Sequence, residues 1–403
     1  MPQSPMPDAD APPCRAPDRQ SAVVAHIARR AVTMVPGAAA LDAAAVLVRG
    51  REILDVGPRR AVLKGFSGTV VDHGDATLLP GLVNAHCHLE LSHLRGAIPP
   101  GLGFAGWVRR LLTLPMAGFD DAAARTAARE MADVGVCAVA DIATRHPGKT
   151  ARALAAAGLT GTVFFEAFGY SSPARPEPDW PADLAGRPDS TDGPNHSLAG
   201  HALYSTHPDR LRAAKAWTTR QGLPFSLHLA EHAGETALLA DGSGEFAELL
   251  RARILPPDYS PPGRSPVAQA DALGLLDART LAVHVVHVDG ADIRILAKSG
   301  CTACLCPRSN AYIGVGAAPL HALAAAGIPL CLGTDSLASN TDLDLWNEVR
   351  YLLEHSDRFS LAAALAAVTT IPARLLGREN SMGMLAPGMR SGLTLLPGDL
   401  ENA

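Results

Sequence analysis

Two histidines one residue apart end an apolar run, Leu78-Leu-Pro-Gly-Leu-Val-Asn-Ala-His-Cys-His88. Residues i and i+2 of an extended strand share a face, so His86 and His88 can turn two imidazoles toward one point. Neutral imidazoles converging on a point begin a divalent-metal site. Taken alone, His-x-His also reads as a polar strand end. Matching pieces, however, follow at the ends of later strand-like runs. Phe225-Ser-Leu-His-Leu-Ala-Glu-His232 offers His228 as a third imidazole. Glu231 comes three residues later, a carboxylate able to move protons beside an activated water. Leu281-Ala-Val-His-Val-Val-His287 offers His284, because His287 faces the other side of a strand. Gly333-Thr-Asp335 leaves a carboxylate at a strand tip, although Asp-Ser alone is also a helix N-cap signal. His86, His88, His228 and Asp335 give three nitrogens and one oxygen. That set suits one Zn2+ per chain, with Fe2+ or Mn2+ also compatible. His232 has no required role and is expected on a solvent-exposed loop.

Positioning these groups takes a repeated scaffold. Strand-like runs at 78–88, 137–141, 162–168, 198–204, 224–228, 281–287, 302–306 and 328–335 alternate with helical patterns such as 121–134, 208–221, 268–276 and 320–326. Eight such repeats predict an α/β fold, a (β/α)8 TIM barrel whose active site lies at the C-terminal ends of its strands. Seven runs carry a polar residue at or near that end, namely His88, Asp141, Glu166, His201, His228, His284 and Asp335. Two longer segments, 171–196 and 241–266, are rich in Pro, Gly and Asp. They read either as lids or substrate walls on that face or as disordered insertions. Short strands and turns over 21–77 form a separate β-unit. The barrel domain occupies 78–380, and 381–403 returns a strand and turn to the β-unit. Residues 1–20 read as a disordered tail without the basic-then-apolar order of a secretory signal.

The 403 residues carry a formal net charge of −5, with 47% hydrophobic and 19% charged residues. This allows a large buried core and gives no sign of nucleic-acid binding or a basic membrane patch. No apolar stretch reaches the length of a membrane span. Seven scattered cysteines are no disulfide framework and point to a reducing cytoplasm. Cys301, Cys304 and Cys306 lack a second pair to complete a zinc site, so they are expected to be buried and structural.

Pro80-Gly-Leu-Val-Asn-Ala-His-Cys-His88, His228-Leu-Ala-Glu231, His284-Val-Val-His287 and Gly333-Thr-Asp-Ser-Leu-Ala-Ser-Asn340 together resemble the amidohydrolase superfamily, in its mononuclear-metal aminohydrolase branch. The resemblance covers nearly the whole chain and implies a small β-sandwich built from both termini. The strand-four run has no lysine to carry the bridge of dinuclear members, which favours one metal. Within the branch the chain resembles deaminases of adenosine-like nucleosides, the aminodeoxyfutalosine deaminases above all. His88-Leu-Glu-Leu-Ser92 and Cys306-Pro-Arg-Ser-Asn310 carry that likeness. His201-Ala-Leu-Tyr-Ser resembles the substrate-touching strand-four segment, with Leu203 in place of the usual Pro. The resemblance implies Glu231, His284 and Asp335 as the catalytic groups. Trp107 falls at helical spacing with Phe104, Val108 and Leu111, a core pattern, which the resemblance raises to a substrate contact along with His201 and Ser339. Arg308 has the planar fork to recognise a carboxylate, or it pairs with a local acid. Glu90 bonds either ribose hydroxyls or a loop backbone.

The expected reaction is hydrolytic deamination of a small-molecule nucleoside, with no nucleic-acid or membrane partner. A homo-oligomer is compatible with the sequence. Methylthioadenosine and S-adenosylhomocysteine are the alternative substrates. Guanine- or triazine-type hydrolysis of a C–N or C–Cl bond uses the same metal set. A non-catalytic scaffold would show an eroded ligand set, and here every group is present.

Overall fold

The computed structural model describes residues 22–116, 118–173, 180–181, 193–356, 359–390 and 392–401. The expected tail over 1–20 and most of 171–196 lie outside the described residues. Near the N-terminus come β1 (Val23–Ala31), β2 (Leu41–Arg49), β3 (Glu52–Pro58), β4 (Thr69–Asp72) and β5 (Thr77–Pro80). Past Gly81 the chain enters the barrel with β6 (Leu82–Cys87), β7 (Val136–Ala143), β8 (Thr160–Ala167) and β9 (Asn195–Ala202). The barrel continues with β10 (Phe225–Leu229), β11 (Thr280–His284), β12 (Thr302–Leu305) and β13 (Leu330–Leu332), and β14 (Leu393–Leu395) follows near the C-terminus.

β6 to β13 lie side by side in sequence order, all parallel. Parallel strands covered on both faces are apolar throughout, and β6, β10, β11, β12 and β13 are buried at every position. The helices between them are punctuated by their own sequence. Pro208–Gln221 starts on a proline and ends on Gly222 at φ 69°, the left-handed cap glycine accepts without strain. Gly290–Ser299 begins with a capping box from Asp289 and Asp292. Among the described residues no helix is long and apolar enough to cross a membrane.

The barrel closes where its last strand meets its first. A single bridge joins Cys87 to Asp335, with the Asp335 N–H donating to the His86 carbonyl at 3.1 Å. Asn84 Nδ2 donates to Thr334 Oγ1 at 2.8 Å, and Thr334 N–H donates back to Asn84 Oδ1 at 3.2 Å. Gly333 is required here, since a Cβ would lie 2.6 Å from the His86 Cβ and 2.8 Å from its backbone N and O.

Outside the barrel, both termini build one six-stranded mixed sheet in the order β14-β5-β1-β2-β3, with β4 also against β1. β14 runs antiparallel to β5, pairing Leu393 with Pro80. The return of the C-terminal segment thus follows the expectation. The 241–266 segment holds the helix Glu245–Arg251, which buries Phe246, Ala247 and Leu250.

Candidate metal and catalytic site

At the C-terminal mouth of the barrel three imidazoles face one another. His88 Nε2 lies 3.1 Å from His86 Nε2 and 3.3 Å from His228 Nε2. Asp335 Oδ1 lies 3.6 Å from both His86 Nε2 and His88 Nε2. A tetrahedron with arms of about 2.05 Å has edges of about 3.3 Å, so the imidazole nitrogens of His86, His88 and His228 are grouped as three ligands of one ion would be, with the Asp335 carboxylate beside the first two. Their protonation also fits. Burial keeps the His88 imidazole neutral down to about 3 and holds His228 well below its usual range. Burial opposes charge on Asp335, but hydrogen bonding and charge from His86, then His88 and His284, outweigh it and keep the carboxylate ionised. Neutral imidazoles such as His88 and His228, and an ionised carboxylate such as Asp335, are what a metal ligates. His228 Nδ1 donates to the His201 carbonyl at 2.8 Å, which turns its Nε2 inward, the orientation that a ligating histidine needs.

Glu231 and His284 flank this cluster. Glu231 Oε1 sits 3.6 Å from His284 Nε2. Burial, then the charges of Asp335 and Glu235, push the Glu231 carboxyl well above its usual range, which favours its protonated form. Burial lowers His284 to about 4. The backbone is bent to present these groups. Ala230, His284 and Asp335 have φ of 53°, 75° and 57°, left-handed values rare outside glycine. His287 bonds the Val315 carbonyl at 2.8 Å and plays no part in the cluster, in line with the choice of His284.

The residues expected around the substrate divide into two groups. His201 joins the site, its ring 5.2 Å from that of His228 and edge-on to Phe168. Ser339 lies behind the cluster, donating to Asp335 Oδ2 at 3.1 Å. Trp107 donates from Nε1 to the Ala338 carbonyl at 2.9 Å and so ties down the neighbouring loop. Glu90 is engaged by the backbone, accepting from the N–H groups of Thr144, Arg145 and His146. Arg308 makes a bidentate pair with Asp342, at 2.7 and 2.8 Å, and a further bond to Thr341 Oγ1. Glu90 and Arg308, each read as a substrate contact or a locally paired side chain, have local partners in this structure. His232 overturns its expectation. It is buried at 4% exposure, its ring stacked 3.7 Å from that of Phe104 and edge-on to Phe246. Its aromatic partners come from distant segments.

The sequence assigns no role to Ser309, Asn310 or Glu235, and marks Asp141 and Glu166 only as polar strand ends. Ser309 donates to Asp335 Oδ2 at 2.6 Å, and Asn310 Oδ1 meets His284 Nδ1 at 3.0 Å. Glu235 is fully buried and accepts the Glu231 N–H at 3.0 Å. Its place four residues after Glu231, one helical turn on, was the available signal. The Glu166 carboxylate accepts from Thr144 Oγ1 at 2.6 Å and is pushed up to about 7 by burial. Asp141 accepts the Leu89 N–H at 2.9 Å and braces the turn after His88. Cys301, Cys304 and Cys306 are buried free thiols, as expected of structural cysteines.

Comparison with known proteins agrees with this architecture. Residues 77–401 match the amidohydrolase family. The chain is 31% identical over 370 residues to the 5-methylthioadenosine/S-adenosylhomocysteine deaminase of Nitratidesulfovibrio vulgaris, covering 87% of this chain and 79% of that one. It is 27% identical over 369 residues to the aminodeoxyfutalosine deaminase of Deinococcus radiodurans, covering 88% and 84%. An adenosine deaminase from Xanthomonas campestris, solved with bound zinc, superposes with a TM-score of 0.76 at 25% identity, covering 93% and 84%. Kinship of this extent, running from β5 to the C-terminal strand, makes the chain a member of the amidohydrolase family, an enzyme that hydrolyses C–N bonds.

Proposed function

We propose that this protein hydrolytically deaminates an adenosine-like nucleoside, exchanging the ring amine for a carbonyl oxygen and releasing ammonia. The observation that carries the reading is the buried Glu231 carboxyl set beside the converging His86, His88 and His228 imidazoles and the Asp335 carboxylate. A divalent ion held by these four residues, zinc in our reading, supplies the Lewis acidity that activates water near neutral pH. Asp335 Oδ1 takes the proton of the attacking water, while its Oδ2 is held by Ser309 and Ser339. Glu231 gives its proton to the ring nitrogen next to the reacting carbon, which makes that carbon electrophilic, and then relays a proton to the departing amine. His284 helps orient the attacking water through Nε2 and, once protonated there, steadies the developing oxyanion. Burial beside Asp335 and Glu235 favours the protonated form of Glu231 until the ring arrives.

For the nucleoside, the sequence motifs favour 6-amino-6-deoxyfutalosine, converted to futalosine on a route to menaquinone, and the Deinococcus radiodurans relative is named for that activity. A second reading, methylthioadenosine or S-adenosylhomocysteine, gains from one feature. The Arg308 fork that would meet a benzoate is already clasped by Asp342. All six described cysteines are free, which supports a cytoplasmic setting. Zinc-loaded protein should be offered aminodeoxyfutalosine, methylthioadenosine, S-adenosylhomocysteine, adenosine, guanine and a chlorotriazine. Ammonia release with the adenine-to-hypoxanthine ultraviolet change is expected from at least one adenosine-like compound. Turnover of guanine or the triazine alone would reject the proposal.

A further inference from the structure

Seven barrel strands present a polar residue to the mouth or its wall, whereas β12 presents none and runs directly into the short helix Pro307–Ile313. That helix lies between the strand tips carrying His284 and Asp335, and two consecutive residues on it reach both. Ser309 is fully buried, and its hydroxyl donates to Asp335 Oδ2 at 2.6 Å. Asn310 is 2% exposed, and its Oδ1 stands 3.0 Å from His284 Nδ1. His284 and Asp335 both sit at left-handed φ. Such backbone persists only where surrounding contacts over-determine it.

The helix is itself anchored from outside the barrel. The Arg308 backbone N–H donates to Glu348 Oε2 at 3.1 Å. Glu348 Oε1 accepts from Asn340 Nδ2 at 2.9 Å, and Asn340 Nδ2 also donates to the Thr334 carbonyl at 2.9 Å, beside Asp335. The anchor therefore references the helix to the same strand end whose carboxylate Ser309 holds.

We propose that Ser309 and Asn310 are positioning residues, with Asn310 fixing His284 as the Nδ1–H tautomer and Ser309 fixing which Asp335 oxygen faces the metal ligands. An amide oxygen only accepts, so the proton between it and His284 must sit on Nδ1. Nε2, 3.6 Å from Glu231 Oε1, is left with its lone pair toward the barrel mouth. Ser309 and Ser339 occupy Oδ2, and Oδ1 alone is left 3.6 Å from the imidazoles. β12 thus supplies no ligand, yet its helix sets the orientation of two catalytic groups.

The inference rests on the hydrolytic reading of the site, and two separate measurements keep the two apart. The first is nitrogen-15 NMR of histidine-labelled protein, without metal and with zinc. The wild type is expected to show His284 as the Nδ1–H tautomer, and Asn310→Leu to lose that signature. An Nε2–H tautomer in the wild type overturns the proposal whatever the enzyme's substrate. The second is kinetics on the best nucleoside. Asn310→Leu, close in volume, is expected to lose about 10–100-fold in kcat with KM and zinc content near wild type, since partners behind reacting groups carry effects of that size. Asn310→Asp restores an acceptor oxygen and should recover most of that loss. Ser309→Thr should outperform Ser309→Ala. Equal losses in Asn310→Leu and Asn310→Asp, or a loss explained wholly by missing zinc, would reduce both residues to packing.

Discussion

Replacing Arg308 with alanine separates recognition from architecture. The guanidinium donates to both Asp342 oxygens and to Thr341 Oγ1, and lies 3.7 Å from Glu348. Two magnitudes compete for its removal. Leaving a bare buried charge would cost about 3–5 kcal/mol, whereas losing charge-assisted hydrogen bonds costs about 1.5–3 kcal/mol. The smaller figure applies. Glu348 is the fully buried partner, and burial pushes its carboxyl up to about 8, so near neutral pH it carries a proton. Asp342 is 33% exposed at its side chain, so water takes over part of its solvation. Unfolding entropy of about 2.1 cal/mol/K per residue gives about 0.8 kcal/mol/K for a chain of this length, hence a drop in Tm of about 2–4 °C. Because the fork is already filled, kcat/KM for a benzoate-bearing nucleoside and for adenosine should fall together, within about twofold of each other. Thermal unfolding and paired steady-state kinetics read both quantities. A loss of about tenfold or more confined to the benzoate substrate, about 1.4 kcal/mol of selective binding, with Tm unchanged, would refute the reasoning and return Arg308 to the substrate.

Three further outcomes are expected. Glu231→Gln should keep about one zinc per chain by elemental analysis and lose about 10²–10⁴-fold in kcat, since the amide cannot shuttle protons. Near-wild-type turnover would remove Glu231 from the reaction. Glu348 titrates at about 8 in the folded protein against 4.5 in the open chain. Across that window the folded state keeps a proton the unfolded chain has released, so stability declines as pH rises. The Tm of Glu348→Gln minus that of the wild type should therefore grow from about pH 5 to about pH 8.5, and a flat difference would mean the folded carboxyl is ionised throughout. Gly333→Ala should lower stability by about 1–3 kcal/mol through overpacking and reduce zinc content, because the new methyl group strikes the His86 backbone. Unchanged Tm and zinc content would show that the closure of the barrel has slack.

What could be read from the chain was governed by distance along it. Each of the eight runs became a barrel strand, because a buried parallel strand announces itself within a handful of residues. The Pro208–Gln221 helix was legible at both ends because proline and glycine mark them. His86, His88, His228, His284 and Asp335 were legible as one set because each ends a strand, and a barrel sends all such ends to one mouth. The helix Glu245–Arg251 hid behind Gly-Ser-Gly and a proline cluster, with seven residues too few to show a period. His232 could not be placed, since Phe104, which stacks on it, lies in another part of the chain. For Glu90 the deciding partners are backbone N–H groups at Thr144, Arg145 and His146, which no residue type advertises. Arg308 had many acids to choose from, and only the folded loop selects Asp342.

The seam between β6 and β13 also orders events during synthesis. Asn84 and Thr334, hydrogen-bonded across it, are 250 residues apart in sequence. A chain emerging from the ribosome exposes His86, His88 and His228 well before Asp335 has been translated. Until the last strand docks, the imidazoles have neither the carboxylate that completes their set nor the strand that holds His86 in place. With these residues as the proposed ligands, ion capture would be coupled to completion of the fold. A truncated or stalled chain makes a poor ion trap, and a firmly retained ion becomes a certificate that the whole barrel was made.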